Sequence, residues 1–214
     1  MCEMRIKRII ALLKTSFDKL PLTLPKMAYE KLIQAGVKYL EITTPQISMT
    51  LDLETLKAIY KDASGSQITI DAHDAPKADL SKLSEQAKKA VGSRPAYVLT
   101  IMSNGKSIRD FEKGRVAITL PYKPNEKEQN GSLFLVYVDD AGKTEYMTNS
   151  SYSHDLQSVI GQTNHFSLYG IGFKENSQTF SDIKDHWTKN DIEFVIARGL
   201  FSGTGEPNFH QMPQ

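Results

Sequence analysis

The chain has 214 residues, 40% of them hydrophobic and 24% charged, the composition of ordinary globular material sized for one main domain with an appendage. Basic and acidic side chains number 26 and 25 and are dispersed, so the net charge of +1 draws the chain toward no nucleic-acid partner. Cys2 is the only cysteine, which excludes an internal disulfide and a cysteine-rich zinc site.

At the start, Arg5, Lys7 and Arg8 lead into the apolar run Ile9 to Leu13, which Lys14 interrupts after five residues. A signal-peptide core needs ~7–15, so no working signal is read here. No stretch approaches the ~20 apolar residues of a membrane-crossing helix. Residues 1–20 therefore read as a remnant or a frayed helix, with order expected from Pro21.

Next comes a weak internal repeat. Thr23-Leu24-Pro25 opens a helix with proline at its tolerated first position, carrying Ala28, Leu32 and Ala35 on one side and stopping at Gly36. Thr50-Leu51-Asp52 opens another, with Asp52 as N-cap and Leu53, Leu56, Ile59 and Tyr60 as its apolar side. Each hands over to a strand, Tyr39 to Thr43 and Gln67 to Asp71, in which Leu40 and Ile42 match Ile68 and Ile70. Two units are too few for a solenoid, so this is a duplicated helix-strand unit inside one domain.

After a short helix near Leu83 to Val91 the pattern turns to strands: Ala96 to Met102, Val116 to Pro121, Leu133 to Val138, Lys143 to Met147, Gln157 to Gln162 and Phe166 to Phe173. Ser103-Asn104-Gly105-Lys106 and Asp139-Asp140-Ala141-Gly142 are hairpin turns. The expected class is α+β: an antiparallel β-sandwich-like domain with packed helices over residues 21–174. The polar stretch 175–179 is a linker, and a separate small unit fills 180–214.

In that tail Asp185 is the expected N-cap of a helix with Ile192, Val195 and Ile196 at helical spacing. Gly199 supplies the left-handed stop after Arg198, Leu200 folds back on the apolar face, and Trp187 anchors it. Gly203 and Gly205 turn the chain so that Phe209 returns to the helix. One helix and one loop make a core too small to fold unaided, so the unit must lean on a neighbour.

The order Phe180-Ser181-Asp182-Ile183, His186-Trp187, helix, then Arg198-Gly199-Leu200-Phe201-Ser202-Gly203-Thr204-Gly205 ahead of Phe209 resembles the opening half of an S-layer homology domain. Bacterial surface proteins hold the cell-wall polymer with that module. A complete domain continues into a second helix opening with a Thr-Arg-Ala-Glu type motif, which this chain lacks before Gln214. The resemblance therefore implies a truncated repeat, and a chain that is a fragment of a larger surface protein.

Upstream, Ala35-Gly36-Val37 with Leu40-Glu41-Ile42, Gly92-Ser93-Arg94-Pro95 with Tyr97, Ile118-Thr119-Leu120-Pro121-Tyr122, Val136-Tyr137-Val138-Asp139-Asp140 and Thr163-Asn164-His165-Phe166-Ser167 resemble the module that stands before S-layer homology repeats in Firmicute surface proteins. This resemblance implies a non-catalytic spacer at the cell surface, with no cofactor and no metal. The partners it implies are cell-wall polysaccharide and neighbouring repeats or surface domains. Asp182, Trp187, Arg198 and Gly203 are the wall-binding candidates.

His165-Phe166-Ser167 supports a chemical alternative, because it resembles the site of self-cleaving sandwich domains. Ser167 would attack the Phe166 carbonyl while His165 takes the hydroxyl proton, and water would then hydrolyse the ester. That chemistry needs backbone strain and oxyanion donors, which a sequence does not display. Asp139-Asp140 reads as a hairpin turn before it reads as a calcium loop, and His73 with Asp71 and Asp74 has no partner at metal spacing. Tyr122-Lys123-Pro124 and Lys127 read as solvated loop charge. Nucleophile-elbow, phosphate-loop and zincin motifs are absent from the sequence, so no enzyme is expected.

Overall fold

Alternation of apolar side chains at period two places one face of each long strand inward, and two sheets close over those faces. A computed structural model describes residues 8–12, 19–75, 84–126, 128, 130–174, 183 and 186–200. In chain order the elements are β1 (Arg8–Leu12), β2 (Lys19–Pro25), α1 (Lys26–Gln34), β3 (Tyr39–Thr43), β4 (Ser48–Asp52), α2 (Leu53–Asp62) and β5 (Gln67–Asp74). Then come α3 (Glu85–Val91), β6 (Ala96–Ser103), β7 (Lys106–Ser107), β8 (Val116–Pro121), a 3-10 turn at Asn130–Ser132, β9 (Leu133–Val138), β10 (Thr144–Tyr146), β11 (Ser151–Ser153), β12 (Ser158–Thr163), β13 (Leu168–Phe173) and α4 (Lys189–Ala197).

One sheet runs β1-β3-β4-β8-β12-β11, and the other runs β10-β9-β13-β6-β5-β2 with β7 paired to β6. Ile42, Met49, Leu51, Ile118 and Leu120 of the first face Ile68, Ile70, Leu99, Ile101 and Ile171 of the second, all between 0 and 1% exposed. The fold is the expected α+β sandwich with packed helices. The duplicated units are split between the sheets: α1 carries the chain from β2 to β3, and α2 carries it back from β4 to β5. Leu40, Ile42, Ile68 and Ile70 lie in one core. The Asp52 carboxylate accepts from the Thr55 amide at 2.8 Å, the N-cap that the sequence indicates.

Three elements differ from expectation. Residues 8–12 form a strand, not a frayed helix: Ile9 and Ile10 are β-branched, and the free edge of β3 offers them a parallel partner, Arg8 to Tyr39 through Leu12 to Thr43. Lys19–Pro25 is also a strand, on β5; its two prolines are tolerated because β2 lies at the sheet edge, and Pro25 takes the cap position ahead of α1 instead of its first turn. Ser48–Asp52 is strand up to the cap, since Met49 and Leu51 alternate inward, both 0% exposed. Residues 175–179 lie outside the described residues.

Candidate functional site

The tail helix α4 follows a tight local turn. The His186 ring Nδ1 lies 2.6 Å from the Thr188 hydroxyl and accepts the Thr188 amide at 3.2 Å. These bonds hold Thr188 immediately before the helix, which starts at Lys189, four residues after Asp185; Asp185 itself is outside the described residues. At the other end Gly199 takes φ 67°, its amide donates to Ile196 O and the Leu200 amide donates to Val195 O, the paired bonds of a Schellman stop. Gly199 therefore does what its position indicates. Leu200, however, is 60% exposed and does not return to the helix.

Arg198 turns inward. It is 6% exposed, and all five of its N–H groups are used on backbone carbonyls. Nη2 and Nε donate to Ser150 O at 2.6 and 3.2 Å, Nη1 to Gly131 O at 2.5 Å and Phe194 O at 3.4 Å, and Nη2 to Leu133 O at 3.3 Å. The guanidinium carbon stands 3.6 Å from the Phe194 ring centroid and 4.4 Å from that of Phe134. Burial draws its pKa from 12.5 down to about 10, so it remains a cation at neutral pH. Carbonyl dipoles and ring faces replace the water it has lost.

The receiving surface is built to fit. The Ser150 hydroxyl donates to Met147 O at 2.6 Å and accepts the Leu135 amide at 2.8 Å, which ties the 147–150 turn to β9 and aims Ser150 O at Arg198. A Cβ on Gly131 would come within 3.1 Å of the Phe194 Cα, tight enough that the helix would have to give by a few tenths of an ångström. Ala197 packs with Phe134, Val136 and Val138 of β9 and Ala87 of α3. The docking face is thus Phe194, Ala197 and Arg198, rotated from the expected Ile192, Val195 and Ile196 stripe, of which only Ile196 is buried. Trp187, expected to anchor the core, is 87% exposed.

Residues 179–210 match the family model of the S-layer homology domain. No curated protein and no solved structure matches the chain. The S-layer homology segment therefore includes α4, Trp187 and Arg198, and the domain carries a cell-wall anchoring role in surface proteins. Of the wall-binding candidates, Asp182 and Gly203 lie outside the described residues. Trp187 faces solvent, while Arg198 donates its N–H groups to carbonyls of the sandwich and of its own helix.

The other candidates fall into place as parts of the sandwich. His165 Nδ1 lies 2.9 Å from the Tyr169 hydroxyl, which is also 2.7 Å from the Thr163 hydroxyl. Burial lowers the His165 pKa and keeps the ring neutral. The Ser167 hydroxyl donates to Val138 O at 3.1 Å, so histidine and serine are each committed to another partner. Positive φ among the described non-glycine residues is confined to Asn104, Glu112 and Gln157, so Phe166 and Ser167 show no left-handed strain. The Asp139 carboxylate accepts the Ala141 and Lys143 amides at 2.9 and 2.8 Å and Asp140 pairs with Arg109, while the Asp71 carboxylate lies 3.2 Å from His73 Nδ1 and accepts from it when that nitrogen carries the proton.

Sequence reasoning missed Glu128, which is 8% exposed inside what reads as a solvated loop. It accepts from Arg94 Nε at 2.6 Å, the Tyr122 hydroxyl at 2.7 Å and the Asn125 amide at 3.0 Å. Burial pushes its pKa up, but these three bonds together outweigh that and leave it below the ordinary carboxylate range. Gly131, Ser150 and Phe194 were missed as well. The spacing of Phe194 and Arg198, four apart on one helix face, is the signal that sequence carries for the clamp.

Proposed function

We propose that this chain is a non-catalytic surface module: the β-sandwich acts as a wall-proximal spacer, and the S-layer homology segment contributes to anchoring on cell-wall polysaccharide at the cell surface, alongside neighbouring repeats of a larger protein. The observation that carries this reading is the matched segment seated on the sandwich through Arg198, with Trp187 of the same segment left facing solvent. An aromatic face in water suits the apolar side of a sugar ring. The committed hydrogen bonds of His165 and Ser167 support the non-catalytic part.

Sedimentation of the purified chain with cell-wall sacculi tests the anchor. The chain should pellet with walls, and Trp187→Ala should pellet less. A chain that stays in solution at every wall concentration overturns the anchoring role. Intact mass tests the spacer: one species of 24.0 kDa should persist through prolonged incubation, whereas two fragments divided between Phe166 and Ser167 would establish self-cleavage.

A further inference from the structure

We propose that the edge of the sandwich over the 163–167 connector is a binding groove for a linear oligosaccharide that is neutral or amino-substituted, separate from the S-layer homology segment. Three depressions of 360, 410 and 390 Å³ line up there. The first two flank the Arg109–Asp140 ion pair and share Phe166 and Ser167, and the second and third meet at His165. Each has the size of a small-molecule site, and their succession suits a chain of sugar rings.

The lining has the required chemistry. Tyr137 stands edge-on to His165, centroids 4.5 Å apart, and the Thr163–Tyr169–His165 hydrogen bonds fix that pair in advance, so ordering it costs a ligand little. The side chains of Glu145 and Gln162 edge the third depression and hydrogen-bond to no other described residue. Asn149 and Asn164 stand beside them with their amide nitrogens donated to Gln162 O and Glu112 O, which leaves their side-chain carbonyls toward the groove's polar lining. Aromatic rings with unspent carboxylate and amide groups offer CH faces and hydroxyl partners together.

Charge selects among glycans. Along the groove three carboxylates, Asp139, Asp140 and Glu145, stand against two guanidiniums, Arg109 and Arg115, and the one net negative charge disfavours an acidic polymer. An ammonium group is attracted, to Glu145 and to the face of Tyr137. The Arg109–Asp140 pair is 61 and 74% exposed, so opening it to let a chain pass costs little. An extended peptide fits less well, because β10 is an edge strand of only three residues.

The test is an amide-resolved NMR titration of the full chain with three probes: a glucosamine tetramer, an N-acetylglucosamine tetramer and an acidic galacturonate tetramer. Either of the first two should give saturable shifts at Tyr137, Gln162 and Asn164, with a Kd on the order of 1 mM or tighter. Glu145→Gln should weaken the glucosamine tetramer by roughly tenfold and leave its N-acetylated counterpart within about twofold. No saturable shift in the groove with either neutral or amino sugar, shifts confined to α4, or preferential binding of the acidic tetramer or of an extended peptide in the groove overturns the proposal. Because sacculi sedimentation reads the whole chain and these shifts read the groove, the two readings fail separately.

Discussion

Removing the Arg198 guanidinium should release α4 from the sandwich without unfolding the sandwich. In Arg198→Ala, Ser150 O loses two donors, while Gly131 O and Leu133 O lose one each. A stranded buried acceptor costs about 1–3 kcal/mol and a stacked cation contributes about 1 kcal/mol, partly offset by no longer burying a charge, which leaves about 2–4 kcal/mol lost from docking. That shifts the docked-to-free ratio by roughly 30- to 1000-fold. Trp187 is the only tryptophan and rides on the segment, so its time-resolved fluorescence anisotropy reads the result directly. The parent chain should decay at the tumbling rate of the whole molecule, and the variant should gain a fast component. Arg198→Lys should gain it too, since one ammonium cannot serve carbonyls that a planar fork reaches from three sides. An unchanged decay in both variants, with α4 amides still protected from hydrogen exchange, would refute the clamp.

Packing and charge set three further outcomes. Gly131→Ala should weaken the same docking by about 1–3 kcal/mol, because its Cβ meets the Phe194 backbone, and the Trp187 decay again reports it. Glu128→Gln should destabilise the sandwich by about 1–3 kcal/mol in urea melts, since the partly buried Arg94 loses its charged hydrogen-bond partner; the wild-type contribution is present above the ordinary carboxylate range and lost as pH falls through the depressed Glu128 pKa. His165 binds its proton more weakly folded than unfolded, so stability is full above about 6.5 and declines as pH drops toward the lower folded value. His165→Asn should flatten that part of the stability-against-pH curve.

Ala96 to Met102, with its alternation, and Leu133 to Val138, a short apolar run, were readable because residue type and flanking turns agreed. So were Asp52 and Gly199, whose roles depend on a single residue's local chemistry. β1 and β2 were not, because their strand state is supplied by edges that only the assembled sheets provide. Arg198 shows the same limit at the site. Ser150 and Gly131 lie 48 and 67 residues away from it, and nothing local says that an arginine will meet carbonyls instead of solvent. The outward Trp187 is the counterpart: its hydrophobicity suggests a core, yet the face that docks is carried by Phe194 and Ala197.

Ser150, Leu135 and Arg198 form one bonded path from the tail helix into β9, which is hydrogen-bonded on one side to β10 and on the other to β13. Tension applied to the tail is therefore delivered to an interior strand with ladders on both flanks, and not to a peripheral one that could peel away rung by rung. Force on the helix would thus be shared between the Arg198 contacts and the ladders on both sides of β9.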